Sequence, residues 1–227
     1  MLVVKAIGGL CNRLRTLFSY NQYAKFLNKK LVFIWNKNEQ CTGLFLDYFE
    51  PVENILFLEN NNDNLNIDYT SHHGLSNYPS NYSELKLLPS ILEKIKEKIN
   101  ILERNYISFH IRRTDHINYA KNIGKYVDDN FFIDFIEKNL QDKNLFIAAD
   151  NKETYNLFKS KYETNVKFDY YNTIINKTRQ TTLEESIIDI YVCVYSSKFT
   201  GTTHSSFSAL IDALRKSNKY TIENLFK

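Results

Sequence analysis

The sequence predicts an α/β protein built on parallel sheets covered by helices, and three observations carry that expectation. Strand-like apolar runs alternate with amphipathic helical stretches through the second half of the chain and, less regularly, through the first. The amino-terminal segment reads as strand, glycine turn and helix in immediate succession. The central apolar run at 106–111 leads into His110, Arg112, Arg113 and Asp115, four polar groups in six residues. A buried strand that ends in charge marks the edge at which open α/β sheets bind ligands.

Composition sets modest bounds. The 227 residues suffice for one large domain or two small ones. A hydrophobic content of 43% with 15% aromatics excludes a disordered chain, and 16 Tyr with 16 Phe must supply much of the core. Six Gly and three Pro argue against a loop-rich sandwich or a fibrous protein. A net charge of +3, with no Lys/Arg stripe interleaved with aromatics, gives no ground for a nucleic-acid partner. No apolar run approaches bilayer-spanning length, so no membrane span is expected. Cys11, Cys41 and Cys193 are odd in number, far apart and without metal-type spacing; they read as reduced thiols. Met1 leads straight into a strand-like segment with no cleavage pattern, so the expected location is cytoplasmic. In that compartment the glycosylation patterns Asn81-Tyr82-Ser83 and Asn176-Lys177-Thr178 read as coincidental.

In chain order, residues 2–7 form a buried strand closed by Gly8-Gly9. Residues 11–27 place Leu14, Leu17, Phe18, Tyr20, Ala24 and Leu27 mainly on one helical face. The glycine turn presents backbone N–H groups at a helix start, but it lacks the third glycine of the dinucleotide fingerprint, and Arg13 and Arg15 replace small residues. A plain tight turn with both arginines in solvent fits the pattern as well. Residues 31–35 and 54–58 read as strands, and 41–49 are ambiguous. Residues 59–83 are rich in Asn, Ser, Asp and Tyr without a usable period, a surface excursion with one short strand expected near Ile67. His72-His73 within it lack a third ligand at fixed spacing and read as exposed imidazoles. Residues 87–102 return to helical spacing through Leu88, Ile91, Leu92, Ile95, Ile99 and Leu102, a bridge between halves. The expected domains are therefore 1–103, with its irregular excursion at 59–85, and 104–227.

The second half continues with a helix at 128–140, a strand at 144–149 ending in Asp150, a helix at 152–162 and a strand at 166–170. A strongly apolar helix at 183–195 carrying Asp189, a short strand at 198–201 and a last helix at 207–216 complete it.

Three clusters stand at strand ends or helix starts: His110 to Asp115; Asp150; and Thr200-Gly201-Thr202-Thr203-His204-Ser205-Ser206. Paired guanidiniums suit the bidentate geometry of phosphate oxygens. Hydroxyls and backbone N–H groups at a helix start form an anion cradle, compatible with ordinary capping by Ser205 or Ser206. No Asp-x-Asp metal pair stands at a strand end, since Asp128-Asp129 opens a helix and suits capping; no metal and no cofactor are expected. Together the clusters describe a site for a nucleotide's phosphates and its base or ribose.

His110-Ile111-Arg112-Arg113-Thr114-Asp115 resembles the first motif of the fucosyltransferase superfamily that includes α1,6-fucosyltransferases, NodZ-type enzymes and protein O-fucosyltransferases. Leu145-Phe146-Ile147-Ala148-Ala149-Asp150 is similar to its second motif, and Asp189 followed by Phe199 to Ser208 resembles its third. Gly8-Gly9-Leu10-Cys11-Asn12-Arg13-Leu14 is similar to a turn near the start of several such enzymes, with Cys11 where glycine is more usual. The resemblance implies a GT-B-like architecture, two Rossmann-like halves with parallel sheets facing a cleft and the donor held mostly by the second half. It implies an inverting, metal-independent glycosyltransferase that moves a sugar, fucose from GDP-fucose, to a hydroxyl of a glycan or protein acceptor. Arg112 matches the arginine on the donor's β-phosphate and Arg113 its companion. His110 and Asp189 match positions near the guanine, Ser205 and Ser206 the phosphate-binding hydroxyls, and Asn12 with Gly8, Gly9 and Arg13 a first-half contribution. Asp150, Thr203 and His204 complete the expected donor-binding set.

Chemistry assigns roles beside the resemblance. Breaking a sugar–phosphate bond leaves negative charge on the departing diphosphate, which preorganised guanidinium and helix N–H groups neutralise as a metal does. Arg112 is the expected stabiliser, and Asp115 the nearest candidate base, unless it holds Arg112 or Arg113 in place. Two other classes stay open: a non-catalytic nucleotide-sugar binding protein, and a phosphate-handling enzyme using Arg112 and Arg113.

Overall fold

A computed structural model describes residues 1–61, 64–172, 180–217 and 219–227. The chain forms two units, Met1–Pro89 and Ser90–Lys227. The Asn176-Lys177-Thr178 pattern lies outside the described residues.

The first unit begins with β1 (Leu2–Ala6), α1 (Leu10–Phe26) and β2 (Leu31–Ile34), followed by β3 (Ile55–Leu58) and β4 (Tyr69–Ser71). The sheet order is β3-β2-β1-β4 with every neighbouring pair parallel, Val4 lying opposite Phe33 on one side and Tyr69 on the other. Gly8 turns the chain into α1 at φ +84°, a backbone that favours glycine, and a side chain there would press on Asn12 Nδ2 at 3.0 Å. The expected strand near Ile67 forms as β4, two residues further on. Residues 72–84 are laid along α1 by that helix's polar side chains. Ser19 Oγ donates to Tyr78 O at 2.6 Å and accepts from Leu75 N–H at 2.7 Å, and Asn21 donates to Glu84 at 2.8 Å. This is why α1 buries Thr16, Ser19 and Asn21 beside its apolar face. The ambiguous segment 41–49 forms a 3-10 turn, Phe45–Asp47, whose Phe45 stacks on Phe57 at 4.4 Å.

The second unit takes up α2 (Pro89–Ile101) from its second residue onward. The division thus falls some residues before the expected boundary at Glu103. The helix goes with the second half because Lys94 pairs with Glu184 at 2.6 Å and Lys98 with Asp189 at 3.5 Å. β5 (Tyr106–Ile111), α3 (His116–Asn122), α4 (Asp129–Asn139), β6 (Asn144–Ala149) and α5 (Lys152–Lys161) follow. α6 (Leu183–Tyr195), β7 (Lys198–Gly201), α7 (Ser206–Arg215) and a short α8 (Ile222–Leu225) complete the unit. The sheet is parallel in the order β6-β5-β7, with Phe109 opposite Ile147 and Thr200.

β5 sits at the centre, buried throughout. Successive strand residues point to opposite faces. Ile107, Phe109 and Ile111 accordingly join Phe132, Ile136, Leu145, Ile147 and Phe158 in one core with α4 and α5. Tyr106, Ser108 and His110 face the other way and are hydrogen-bonded: Tyr106 OH to Val192 O at 2.8 Å, and Ser108 to Ser196 Oγ at 2.7 Å. The expected strand at 166–170 does not form. Val166 and Tyr170 bury their side chains in the same core, yet the segment joins β6 through one rung, Leu145 N–H to Asn165 O at 2.9 Å, rather than a ladder. Packing suffices there without pairing.

At the end of β7 the backbone of Gly201 lies against α7. A Cβ on Gly201 would clash with Ser208 Oγ and meet Ser208 Cβ at 2.8 Å and Phe199 at 3.1 Å. Gly201→Ala should therefore lower stability by about 1–3 kcal/mol, as overpacking does, read as a reduced urea midpoint at unchanged slope.

Candidate functional site

The site is built at the carboxyl edge of the second sheet, where β5 and β6 both stop. Asp150, the first residue after β6, directs its carboxylate into the turn that follows β5. It accepts from Arg113 N–H at 2.9 and 3.1 Å, from Thr114 N–H at 3.1 Å and from Thr114 Oγ1 at 2.7 Å. From the other side Thr202, just past β7, accepts Arg112 N–H at 2.9 Å and donates its own N–H to His110 O at 2.9 Å. The turn at 112–114 is thereby clamped by residues following both neighbouring strands.

That clamp sends the two arginines apart. Arg112 lines a pocket, and its Nη2 pairs with Asp115 Oδ1 at 2.6 Å. Arg113 turns inward, 6% exposed, donating to Val127 O and Asp129 Oδ1, both at 2.7 Å, with Tyr126 and Phe132 rings 5.2 and 5.7 Å away. The structure therefore does not bring the two guanidiniums of the expected pair together. Arg113 joins the turn to α4, and among the described residues Arg112 is the arginine that lines the pocket. Asp128 caps α4 through Phe131 N–H at 3.2 Å, as its sequence position suggested.

The pocket holds about 70 Å³ and opens to solvent. That is well below the roughly 300–1,000 Å³ of a full small-molecule site, so it takes part of such a molecule rather than the whole. His110, Arg112 and Asp150 come from the two strand ends, Ser186 and Asp189 from α6, and Phe207 from α7. Gln180 and Thr181 close the rim. His110 stacks on Phe207 at 4.3 Å and 20°, with Nδ1 against Ser208 Oγ at 2.8 Å, which ties the start of α7 to β5. Thus the arginine and the amino end of α7 share one cavity.

Asp189 is 5% exposed. Its Oδ1 accepts from Tyr171 OH at 2.6 Å and faces Lys98 Nζ at 3.5 Å. Burial pushes the Asp189 carboxyl above the usual range, against the opposite pull of Lys98 and then Tyr171. Burial and the neighbouring Asp189 likewise push the Tyr171 hydroxyl up.

Other expected residues stand elsewhere. Thr203 donates to Lys125 O at 2.7 Å and His204 adopts a left-handed φ of +57°; both are exposed and neither lines the pocket. Ser205 occupies the N-cap of α7 in extended backbone, buried, without a side-chain capping bond, and Ser206 is the first helical residue. In the first unit, Arg13 is completely buried, donating through Nε to Gly8 O at 2.7 Å and through Nη1 to Asn36 O at 2.5 Å, so it braces the Gly8-Gly9 turn instead of lying in solvent. Asn12 accepts from Arg15 Nη2 at 3.0 Å. His72 and His73 are exposed, and the same Arg15 nitrogen reaches His73 Nδ1 at 3.0 Å. The three cysteines are buried and free of disulfides. Among the described residues no cluster of metal-ligating side chains occurs, and no helix is long and apolar enough to cross a membrane.

Sequence reasoning missed Lys98 and Tyr171, and gave Phe207 and Ser208 no site role although both lie in the third motif. The aromatic at 207 was visible as a core residue of the last helix. The link between Lys98 and Asp189 spans 91 positions and carried no sequence signal.

Two α/β units with parallel sheets and a polar pocket at a sheet's carboxyl edge place the chain in the GT-B-like fold class. Within that class it is similar to the crystal structure of NodZ α1,6-fucosyltransferase soaked with GDP-fucose, at TM-score 0.63 and 13% identity over 94% of this chain and 92% of that one. It is similar to fucosyltransferase NodZ from Bradyrhizobium, at TM-score 0.61 and 13% identity over 92% and 91%. POFUT1 in complex with GDP-fucose matches at TM-score 0.62 and 12% identity over 95% and 94%. No family model and no curated protein sequence matches the chain. At these identities the likeness shows a shared fold.

The clamp has a measurable consequence. Asp150→Asn keeps the shape but replaces a carboxylate that serves three donor groups, so stability should fall by about 2–3 kcal/mol, as for charge-assisted hydrogen bonds. Chemical denaturation checks it; an unchanged midpoint would show that the turn holds without the charge.

Proposed function

We propose that this chain is a glycosyltransferase that moves fucose from GDP-fucose to a hydroxyl of a glycan or protein acceptor, inverting the anomeric centre and requiring no metal. The observation that carries the reading is Arg112. A half-buried guanidinium stands in a polar pocket at the carboxyl edge of a parallel sheet, beside Asp189 and the start of α7. The fold is one shared with fucosyltransferase structures that hold GDP or GDP-fucose.

The chemistry follows from charge. As the bond from the anomeric carbon to the β-phosphate oxygen breaks, the electron pair stays with that oxygen and GDP departs. A guanidinium fixed before the reaction stabilises the developing charge without reorganising, an effect worth about 3–4 kcal/mol for a well-placed donor. Arg112 takes this role alone, since Arg113 is buried in the framework. Asp115 is the partner that orients Arg112. Its Oδ1 is occupied by the Arg112 guanidinium at 2.6 Å, so holding Arg112 suits it better than deprotonating an acceptor.

One observation favours a second reading, a protein that binds the nucleotide sugar without transferring it: Asp115 already offsets part of the Arg112 charge. Calorimetric titration in EDTA separates these readings from neither being right. GDP and GDP-fucose should bind, while UDP and ADP should not. Arg112→Ala should weaken GDP binding about tenfold or more, equivalent to about 1.4 kcal/mol, with an unchanged Tm. Arg113→Met should instead lower the Tm. Slow release of GDP from GDP-fucose by the native chain, absent in Arg112→Ala, favours a transferase over a binder. Unaltered GDP affinity in Arg112→Ala would remove the phosphate role.

A further inference from the structure

The deep end of the pocket is shaped by residues that do not line it. Asp189 presents two carboxylate oxygens, and the framework occupies one. Tyr171 OH and Lys98 Nζ both converge on Oδ1, and Lys98 also donates to the Tyr171 hydroxyl, closing a three-membered polar cluster. The ammonium is seated among rings, 4.4 Å from the centre of Tyr171, 5.3 Å from Phe168 and 5.4 Å from Phe146. A desolvated cation over aromatic faces gains from their quadrupoles and keeps its place. Asp189 itself lines the pocket, and Oδ2 is the oxygen that neither Tyr171 nor Lys98 takes.

We propose that Lys98 and Tyr171 are positioning residues, which hold the Asp189 side chain as a carboxylate turned so that Oδ2 is the acceptor at the deep end of the pocket. The ligand group that fits there carries N–H or O–H donors, such as the edge of a nucleobase. The inference rests on the proposed donor site and adds to it the device that keeps its acidic end functional. A buried carboxylate without a counter-charge takes up a proton instead of staying ionised. A protonated Asp189 would offer the donor edge a competing O–H. The pull of Lys98 opposes that outcome.

Among the described residues, the titratable or charged groups facing Asp189 are few. Lys98 comes from α2, Tyr171 from the segment after α5, and Glu185 from Asp189's own helix. Tyr155 of α5, Tyr170 and Cys193 also lie within electrostatic reach. His110 and Arg112 stand across the pocket at the end of β5. Lys98 is the nearest formal cation among the groups that act on Asp189.

The test uses the full chain and the variants Lys98→Met, Lys98→Arg, Tyr171→Phe and Asp189→Asn. Lys98→Met keeps the apolar stem among the rings, so folding is expected to survive, and melting curves check that. In Lys98→Met the Asp189 carboxyl rises further, so GDP affinity at pH 7 should fall about tenfold and recover towards the native value as pH is raised to about 9. Lys98→Arg should restore binding at pH 7. Tyr171→Phe should give a smaller loss of the same pH form, and Asp189→Asn a loss at every pH. A Lys98→Met protein that binds GDP like the native chain, or that loses affinity equally at every pH, overturns the assignment. Carbon-13 titration of the Asp189 carboxyl works without any ligand. Its midpoint should move upward in Lys98→Met and stay in place in Lys98→Arg. That shift present, with GDP unbound by the native chain, would sink the donor reading while leaving the Lys98 device; an unmoved midpoint sinks the device itself.

Discussion

The Asp150 carboxylate is the interaction on which the site depends. Adjacent side chains leave an extended backbone on opposite sides, but nothing in the pair itself fixes which arginine goes which way. Asp150 takes the backbone N–H groups of Arg113 and Thr114 and the Thr114 hydroxyl, which fixes the direction of the chain as it leaves β5. With the backbone set, alternate side chains leave on opposite sides. Arg112 enters the pocket and Arg113 enters the framework, where Val127 O and Asp129 satisfy it. Hydrogen bonds to a charged acceptor are worth about 1.5–3 kcal/mol each, more than neutral ones. A flexible loop could place Arg112 only as one of many conformers, whereas this turn presents it before any ligand arrives.

The same sheet carries two chemistries on its two faces. Ile107, Phe109 and Ile111 build an aromatic and aliphatic core that needs no partners beyond packing. Ser108 and His110 face α6 and α7, where each meets a serine, Ser196 or Ser208. Buried polar groups are costly unless paired, and these are paired. The polar face thus fixes helix positions directionally, which apolar contact does not. Gly201 belongs to the same logic, since its missing Cβ lets α7 approach closely enough for Ser208 to reach His110.

Strand ends were legible in the sequence because charge after an apolar run is a local signal. β5, β6 with Asp150, α6 and β7 all stand within a residue or two of where hydrophobic pattern put them. What side chains do at those ends was not legible. Nothing in the string Arg112-Arg113 says which guanidinium is buried, because that follows from Asp150 and Asp129, residues 38 and 17 positions beyond Arg112. Arg13 shows the same limit. Its place in a turn motif suggested an exposed contact, whereas Gly8 O, Asn36 O and the face of Trp35, 5.5 Å away, make it a buried brace. Residues 72–84 lacked any period because they are held by the polar side chains of α1 and not by a repeat of their own.

Charge around the pocket is unevenly distributed, and this orients a ligand on the proposed reading. Among the described residues Arg112 is the cation lining the pocket, while Asp150 and Asp189 both bring carboxylates to it. Asp150 is consumed by backbone and hydroxyl donors, so its charge is spent on the turn. Asp189 lines the pocket with its carboxylate and would repel a phosphate placed against it, by an amount that grows as water is excluded. A diphosphate is therefore driven towards Arg112 and a donor-bearing edge towards Asp189. The two ends of one nucleotide satisfy opposite requirements, and a simple inorganic phosphate satisfies half of them. This polarity makes a nucleotide sugar a better fit than the bare phosphate chemistry that paired arginines alone suggested.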